Sequence, residues 1–456
     1  MLACTGHEPG TQDSESTEAA PTVVAVGCAQ PGDNTLRWSC TVTVEPPQTA
    51  TLVYVPLDGG PETSLTLPAL GGSHEMPLRF LRTSTSYDVT VAASGVEART
   101  TFTTGDAPVG ARLTYVVEGV SSVPYLLHTT PCMGTDFVVV SDTEGHVVWY
   151  QSLGLGGGAD VQMVQLTEDD TLLLVADSVR TGTNFLREID WDGNTLLEVI
   201  SDAQDTERFH HDAYKHAGLV YALFHHDLLL EDGLTYKEDG YYVYDETGSL
   251  VDEWHLFDHF LPPLGGEPGG YAPIDYSHTN SIHVTDDLQV MLSLRYLSAV
   301  ASVQGDPTQK DHGAITWRLG GNPSDPAFGT DFTLTSSASD LPTFLLQHHA
   351  LPDGPDRITM FDNRGFGPQP SRVLGITLDR TLGVADIDEV YTLDQHCNFQ
   401  GSAFFTAQGN PVATCAKPGT VYEWDAGVPE TQRFKLNASC ADGVEASIGR
   451  FVPLDP

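Results

Sequence analysis

Basic residues are scarce in this chain. Its 456 residues include 21 Lys and Arg against 62 Asp and Glu, a formal net charge of -41. Nucleic acid and anionic lipid surfaces are repelled by such a field, so neither is expected as a partner. A small anionic substrate is still allowed, because a local cluster of Arg or His overrides the global potential. Also missing is any run of about 18 apolar residues, which excludes a spanning helix. No C-x-x-C pair occurs, which argues against a zinc site built from thiolates. Helical periodicity is almost absent too, and a parallel α/β arrangement would need helical segments of about a dozen residues between its strands.

Seven cysteines are present. The first, Cys4, ends the opening "MLAC" and precedes the polar stretch "TGHEPGTQDSESTEAAP". This looks like the end of a bacterial lipoprotein signal followed by a tether, with Cys4 as the lipidated residue and membrane anchor. An unrelated start before a disordered tail fits the same letters. The other six, Cys28, Cys40, Cys132, Cys397, Cys415 and Cys440, are an even set in an acidic, Lys-poor chain. That suits disulfides and an extracytoplasmic setting, whether periplasmic, cell-surface or secreted. Cys28 with Cys40, and Cys397 with Cys415, are close enough in sequence to bridge within hairpins.

Composition divides the chain into three parts. Residues 1–21 are polar and low in aromatics, a disordered tether. Residues 22–105 hold alternating runs such as "TLRWSCTVTV", "TATLVYVPL" and "SYDVTVAAS" between Gly, Pro and Asp turns, which predicts a small β-sandwich. Within it "LRTSTSYDVTVAA" resembles the fibronectin type III pattern. Residues 106–456 repeat: an acidic-Gly turn entering an apolar strand recurs six times, at 142, 190, 245, 311, 379 and 423. Each copy follows a strand, a polar turn and a very apolar strand. Six pairs of hairpins predict six four-stranded sheets, and the solution that buries both faces of each is a six-bladed β-propeller. The predicted class is therefore all-β.

In a propeller the first strand of each blade lines the central channel, so equivalent positions converge. The starts of three innermost strands carry His211 in "FHHDAY", His278 with Asn280 in "YSHTNS", and His348 in "LQHHAL", three imidazoles at one predicted register. Period-two alternation puts His278 and Asn280 on one face and His283 on the other. Arg295, in "LSLRYLS" of the same blade, adds a fixed cation. Neutral imidazole is a competent nucleophile, further imidazoles hold or move protons, and Arg with Asn stabilises charge on oxygens. The set suits transfer of an anionic oxyacid group. A three-histidine metal site is the chemical competitor, disfavoured by the adjacent Arg, and no metal is assigned. His225, His226 and Asp227 read as a loop after an apolar strand, and "GLGGGAD" at 154–160 as a flexible turn.

Five segments, "DYSHTNSI", "ITWRLGG", "LQHHALPDGPDRITMFDN", "SRVLGITLD" and "GSAFFTAQGNPVATC…VYEWD", resemble in order and spacing the PAPS-independent arylsulfate sulfotransferases of bacteria, over roughly residues 106–450. The resemblance implies a six-bladed propeller with a small N-terminal β-domain. It also implies sulfuryl transfer from an aryl sulfate ester to an acceptor phenol, both small molecules, through a sulfated histidine and with no cofactor. By motif the nucleophile would be His348, after Gln347. His278, Asn280 and Arg295 would bind sulfate oxygens, and His211 would be the remaining active-site histidine, with His210 as the neighbour that could take its place. One departure stands out: His349 occupies the position of the Asp in the family's Q-H-D-A motif. The reading from a different class is a non-catalytic extracellular propeller that keeps its histidines to bind a ligand or serve as a scaffold.

Overall fold

The computed structural model describes residues 22–455, apart from 131, 133–136, 155–158, 179–182, 202–206, 263, 266–272, 322–327, 340 and 441–445. Cys4 and its tether, and most of the Gly-rich turn at 154–160, lie outside the described residues. The chain divides into two compact units, Met1–Asp106 and Ala107–Pro456. Strands dominate both, and no α-helix occurs among the described residues. No described helix is long and apolar enough to cross a membrane.

The first unit is one five-stranded antiparallel sheet. Its longest strand, Trp38–Pro56, serves twice: its first half pairs with Thr22–Ala29 and its second with Ser86–Ala93. Thr63–Leu78 runs beside both halves. Alternation along Ser86–Ala93 sends Tyr87, Val89 and Val91 inward to meet Leu52, Tyr54 and Phe102. The Cys28–Cys40 disulfide joins two directly paired positions.

Six further sheets build the second unit. The third is typical: Glu207–His216, Leu219–Leu229, Thr235–Tyr244 and Leu250–His255 follow one another as neighbours, with Ile274–Asp275 added in parallel. The fourth runs from Thr279–Val284 to Ile315–Gly320, and the fifth starts at His348–Pro352. First strands contact first strands of the next sheet in an unbroken cycle. Apolar clusters fill the spaces between sheets: Tyr221 and Leu223 of the third pack with Ile282 and Leu292 of the fourth, and Phe361 of the fifth with Tyr422 of the sixth. Burial on both faces is what the near-continuous apolar runs in the middle strands demand.

Where the cycle closes, the structure departs from six self-contained pairs of hairpins. The first repeat supplies only three strands of its sheet. The innermost comes from the far end of the chain, Phe451–Leu454, paired with Tyr125–Thr130. Leu113–Gly119 in turn adds a fifth strand to the last sheet, along Val428–Cys440. A ring needs its ends tied, and exchanging strands ties them with backbone hydrogen bonds. The Cys132–Cys440 disulfide, spanning 308 residues, adds a covalent tie at the same seam, and Cys397–Cys415 closes a short loop in the last sheet. Three disulfides suit an oxidising compartment.

Candidate active site

Four of the innermost strands carry an irregularity at the same end. The pairing register shifts at Val161/Met163, Phe209/Ala213, Thr279/Ser281 and His348/Leu351. A bulge breaks alternation and re-aims the side chain at the break. His211 and His349, within two of these breaks, and His278, just ahead of a third, sit at positive φ, 56°, 49° and 49°, a conformation costing a non-glycine residue roughly 1–3 kcal/mol. The result is a cavity of about 190 Å3 lined by Gln162, His211, Asn280, His348, Gln400 and Arg450, with His349 and two glycines completing the wall. Strands or strand entrances of all six sheets contribute.

Hydrogen bonds between neighbouring sheets correct the predicted register. Asp212 accepts from the Ile282 amide (3.1 Å). Ser281 Oγ accepts from the Ala350 amide (3.1 Å), and His349 Nδ1 lies 2.9 Å from the Ala403 carbonyl. Asp212, Ser281 and His349 are thus equivalent, each tying its strand to the next, so the residues one earlier, His211, Asn280 and His348, share a position. His278 lies two residues before that position. Aligning the strands by their imidazoles put His278 there, whereas the inter-sheet hydrogen bonds put Asn280 there.

His278 nevertheless joins the cluster. Its ring packs edge-on against His211 with centroids 4.8 Å apart, and against Tyr296 at 4.8 Å. Its Nδ1 contacts Asp275 Oδ2 at 2.5 Å. His211 Nδ1 meets His210 Nδ1 at 2.7 Å, and His210 Nε2 lies 3.3 Å from Asp239 Oδ1. Of the two neighbours, His211 lines the cavity, while His210 stands behind it against Asp239 and His225. Burial, with the imidazoles of His278 and His210 nearby, holds the His211 pKa well below the ordinary histidine value.

His348 is fixed most tightly. Asn363 Nδ2 donates to the Cys397 and Gln400 carbonyls (2.7 and 3.0 Å), which turns its Oδ1 toward His348 Nδ1, 2.7 Å away. An amide oxygen only accepts, so Nδ1 carries the ring proton and Nε2 keeps its lone pair. Burial and the Arg295 guanidinium push this imidazole down to about 3, neutral at ordinary pH. Arg295 is itself 5 % exposed and forms no ion pair among the described residues. It rests over the Tyr296 ring at 4.9 Å, its Nε without a partner. Its Nη2 reaches the Asn398 carbonyl (3.5 Å) and Asp275 is near enough to act on its charge, but no described carboxylate pairs with it, which leaves the buried cation open to an anion. Asn280 donates through Nδ2 to the Gln347 carbonyl (2.8 Å), which leaves its second amide hydrogen free of that bond.

The five predicted residues, His211, His278, Asn280, Arg295 and His348, therefore come together at one end of the sheets. Asn363, Asp275, Asp239 and Arg450 were not singled out from sequence. Asn363 lay within a quoted segment, "MFDN", without a reason to choose it. Arg450, paired with Asp212 at 3.0 Å, arrives from the chain's far end and gave no signal. The segment His225–Asp227 is not a loop: it belongs to the strand Leu219–Leu229, whose pairing continues to Leu229 opposite Thr235. A larger cavity, about 1050 Å3, opens beside Trp317 and His283. It shares no residue with the histidine cluster, and its cations are spoken for, Arg357 by Asp353, Asp388 and Glu389 and Arg380 by Asp356.

Fold and site together define an all-β protein whose cyclic sheets enclose buried imidazoles and a guanidinium with no ion pair among the described residues. The family model Arylsulfotransferase (ASST) matches residues 102–373, more than half of the chain, and the chain belongs to that family. None of the curated proteins matches it. Among solved structures it is similar to a protein of unknown function from Bacteroides caccae: 11% identity, 74% of this chain and 100% of that one covered, TM-score 0.41. A catalytically inactive virginiamycin B lyase from Staphylococcus aureus with quinupristin is similar at 10% identity over 71% of this chain and 99% of that one, TM-score 0.35. Neither TM-score reaches 0.5, and the family assignment rests on the sequence match.

Proposed function

We propose that the protein transfers a sulfuryl group from an aryl sulfate ester to an acceptor phenol through a sulfohistidine on His348, without a nucleotide donor. The observation that carries this reading is the His348–Asn363 hydrogen bond, which leaves a neutral imidazole with its Nε2 lone pair free beside the Arg295 guanidinium, whose Nε has no partner among the described residues. In the first half-reaction Nε2 attacks sulfur, the S–O(aryl) bond breaks, and the leaving aryloxide takes up a proton. In the second, the acceptor's oxygen attacks sulfur, the N–S bond breaks, and the phenolic proton returns to the site. His278, ring against ring with His211 and backed by Asp275, gives the proton to the aryloxide in the first half and regains it from the acceptor in the second. Arg295 and Asn280 face the charge that builds on the non-bridging oxygens. A cavity of about 190 Å3 is smaller than the roughly 300–1,000 Å3 of pockets that enclose drug-sized ligands. It suits the sulfuryl group, with the aryl portion toward solvent.

The same reading takes the six sheets as blades of a propeller, residues 22–105 as a fibronectin-like module, and Cys4 as a lipid anchor that tethers the enzyme outside the cytoplasm. Incubation with a chromogenic aryl sulfate and phenol tests the chemistry. The expected result is phenolate release that depends on the acceptor and disappears in His348→Ala. Equal release by that variant sinks the mechanism, and no release by the native protein sinks the activity.

A further inference from the structure

Alternation along the strand Thr235–Tyr244 gives its two neighbouring carboxylates opposite faces. Asp239 turns toward His210 and the histidine cavity. Glu238 turns the other way, where the ladder places His226 directly opposite it and His255 opposite Gly240, two residues along. His226, Glu238 and His255 therefore stand on one face, from three adjacent strands. Phe224 underlies both imidazoles, with centroids 6.1 Å from His226 and 5.1 Å from His255.

Their donor atoms converge. Glu238 Oε1 accepts from the Phe257 amide (2.9 Å). That leaves Oε2, which faces His226 Nε2 at 3.0 Å and His255 Nδ1 at 3.3 Å. One ligand atom from each residue lies within 4.8 Å of the others. Zinc bonds of about 2.1 Å at tetrahedral angles would separate ligand atoms by about 3.4 Å, a few tenths from the two imidazole distances to Glu238 Oε2. Two imidazoles and one carboxylate favour a zinc-class ion, whereas calcium and magnesium take six or more oxygens. The carboxylate is buried and the imidazoles are exposed by 15% and 24%, so solvent reaches the fourth position.

We propose that His226, Glu238 and His255 bind one divalent zinc-class cation with an open fourth coordination position. The site lies on the opposite face of the strand from the sulfuryl-transfer residues and does not depend on that chemistry. It pins three strands of the third sheet at the level where Asp239 holds His210.

The test is zinc titration of the chelator-treated full-length protein, read by calorimetry, metal analysis and thermal denaturation. One equivalent is expected, with a rise in Tm. Glu238→Gln and His255→Gln should each weaken binding by about 100-fold and remove the rise. His255 is partly exposed, so its variant keeps the experiment decisive if Glu238→Gln fails to fold. Asp142→Asn, which disrupts the Asp142, Glu144 and His146 cluster, and His348→Ala should both retain the equivalent. No binding by the native chain overturns the assignment. So does binding that survives in His255→Gln, or that is lost in Asp142→Asn or His348→Ala instead.

Discussion

Asn363 Oδ1 lies 2.7 Å from His348 Nδ1, and the amide cannot turn over, because its nitrogen is held by two backbone carbonyls. The Cys397–Cys415 disulfide braces one of those carbonyls. Asn363 thus fixes which ring nitrogen of His348 carries the proton, and under the proposed mechanism that decides which one attacks. Asn363→Leu removes the acceptor, releases the tautomer, and should lower kcat by about 10²–10⁴ with a smaller effect on KM. Asn363→Asp keeps an acceptor but adds a charge that favours the imidazolium. Its acid limb in kcat/KM should move to higher pH, with activity recovered in alkali. An Asn363→Leu enzyme with native kcat would show that Asn363 does not set the tautomer.

Buried histidines also predict how stability responds to acid. Burial lowers His348 to about 3, and His128 and His283 to about 4 each, against an unfolded value near 6.5. Above 6.5 both states are neutral and these groups contribute nothing. Below it the unfolded chain binds protons that the folded one refuses, so stability falls as pH drops toward the folded values. Each histidine removes about 1.4 kcal/mol per pH unit in that window. Denaturant titrations between pH 7 and 4 should show a steep loss of stability. His128→Phe, which substitutes an aromatic ring beside Phe451, should make the slope shallower. An unchanged slope would mean that His128 is charged in the folded state.

Much of this was legible in the letters, for a definite reason. Acidic-Gly turns repeat because every outer hairpin faces the same steric demand, and apolar runs repeat because every sheet is covered on both faces. The repeat brings the starts of the innermost strands together, and His211, Asn280 and His348 share one position there, whereas His278 falls two residues before it. Three things stayed hidden. The contacts between sheets that make Asn280, not His278, the counterpart of His348 join residues far apart in the chain. Strand exchange at the seam joins Phe451–Leu454 to Tyr125–Thr130 across most of the chain. The ring face carrying His226 and His255 depends on ladder register, which a one-residue slip would reverse.

His349, where the resemblance implies an Asp, can be judged from Asp212 at the equivalent position. Both side chains reach the next sheet's inner strand, Asp212 at Ile282 and His349 at Ala403. The shared role is to fasten neighbouring strands, and among the described residues the His349 side chain bonds Ala403 rather than His348. His349→Asp would place a carboxylate where it can accept from the Ala403 amide, now 3.3 Å from Nδ1. Arg450 is close enough to influence the charge there. That variant should keep kcat within about tenfold, less than the 10²–10⁴ expected for loss of a proton-transfer group. His349→Ala leaves buried backbone groups unpaired and should cost about 1–3 kcal/mol of stability, with the pH profile of kcat/KM unchanged. Turnover by purified variants beside thermal denaturation separates the roles. Lost turnover in His349→Ala at native Tm would place His349 in the chemistry, whereas a lowered Tm with native turnover would leave it as a fastener between sheets.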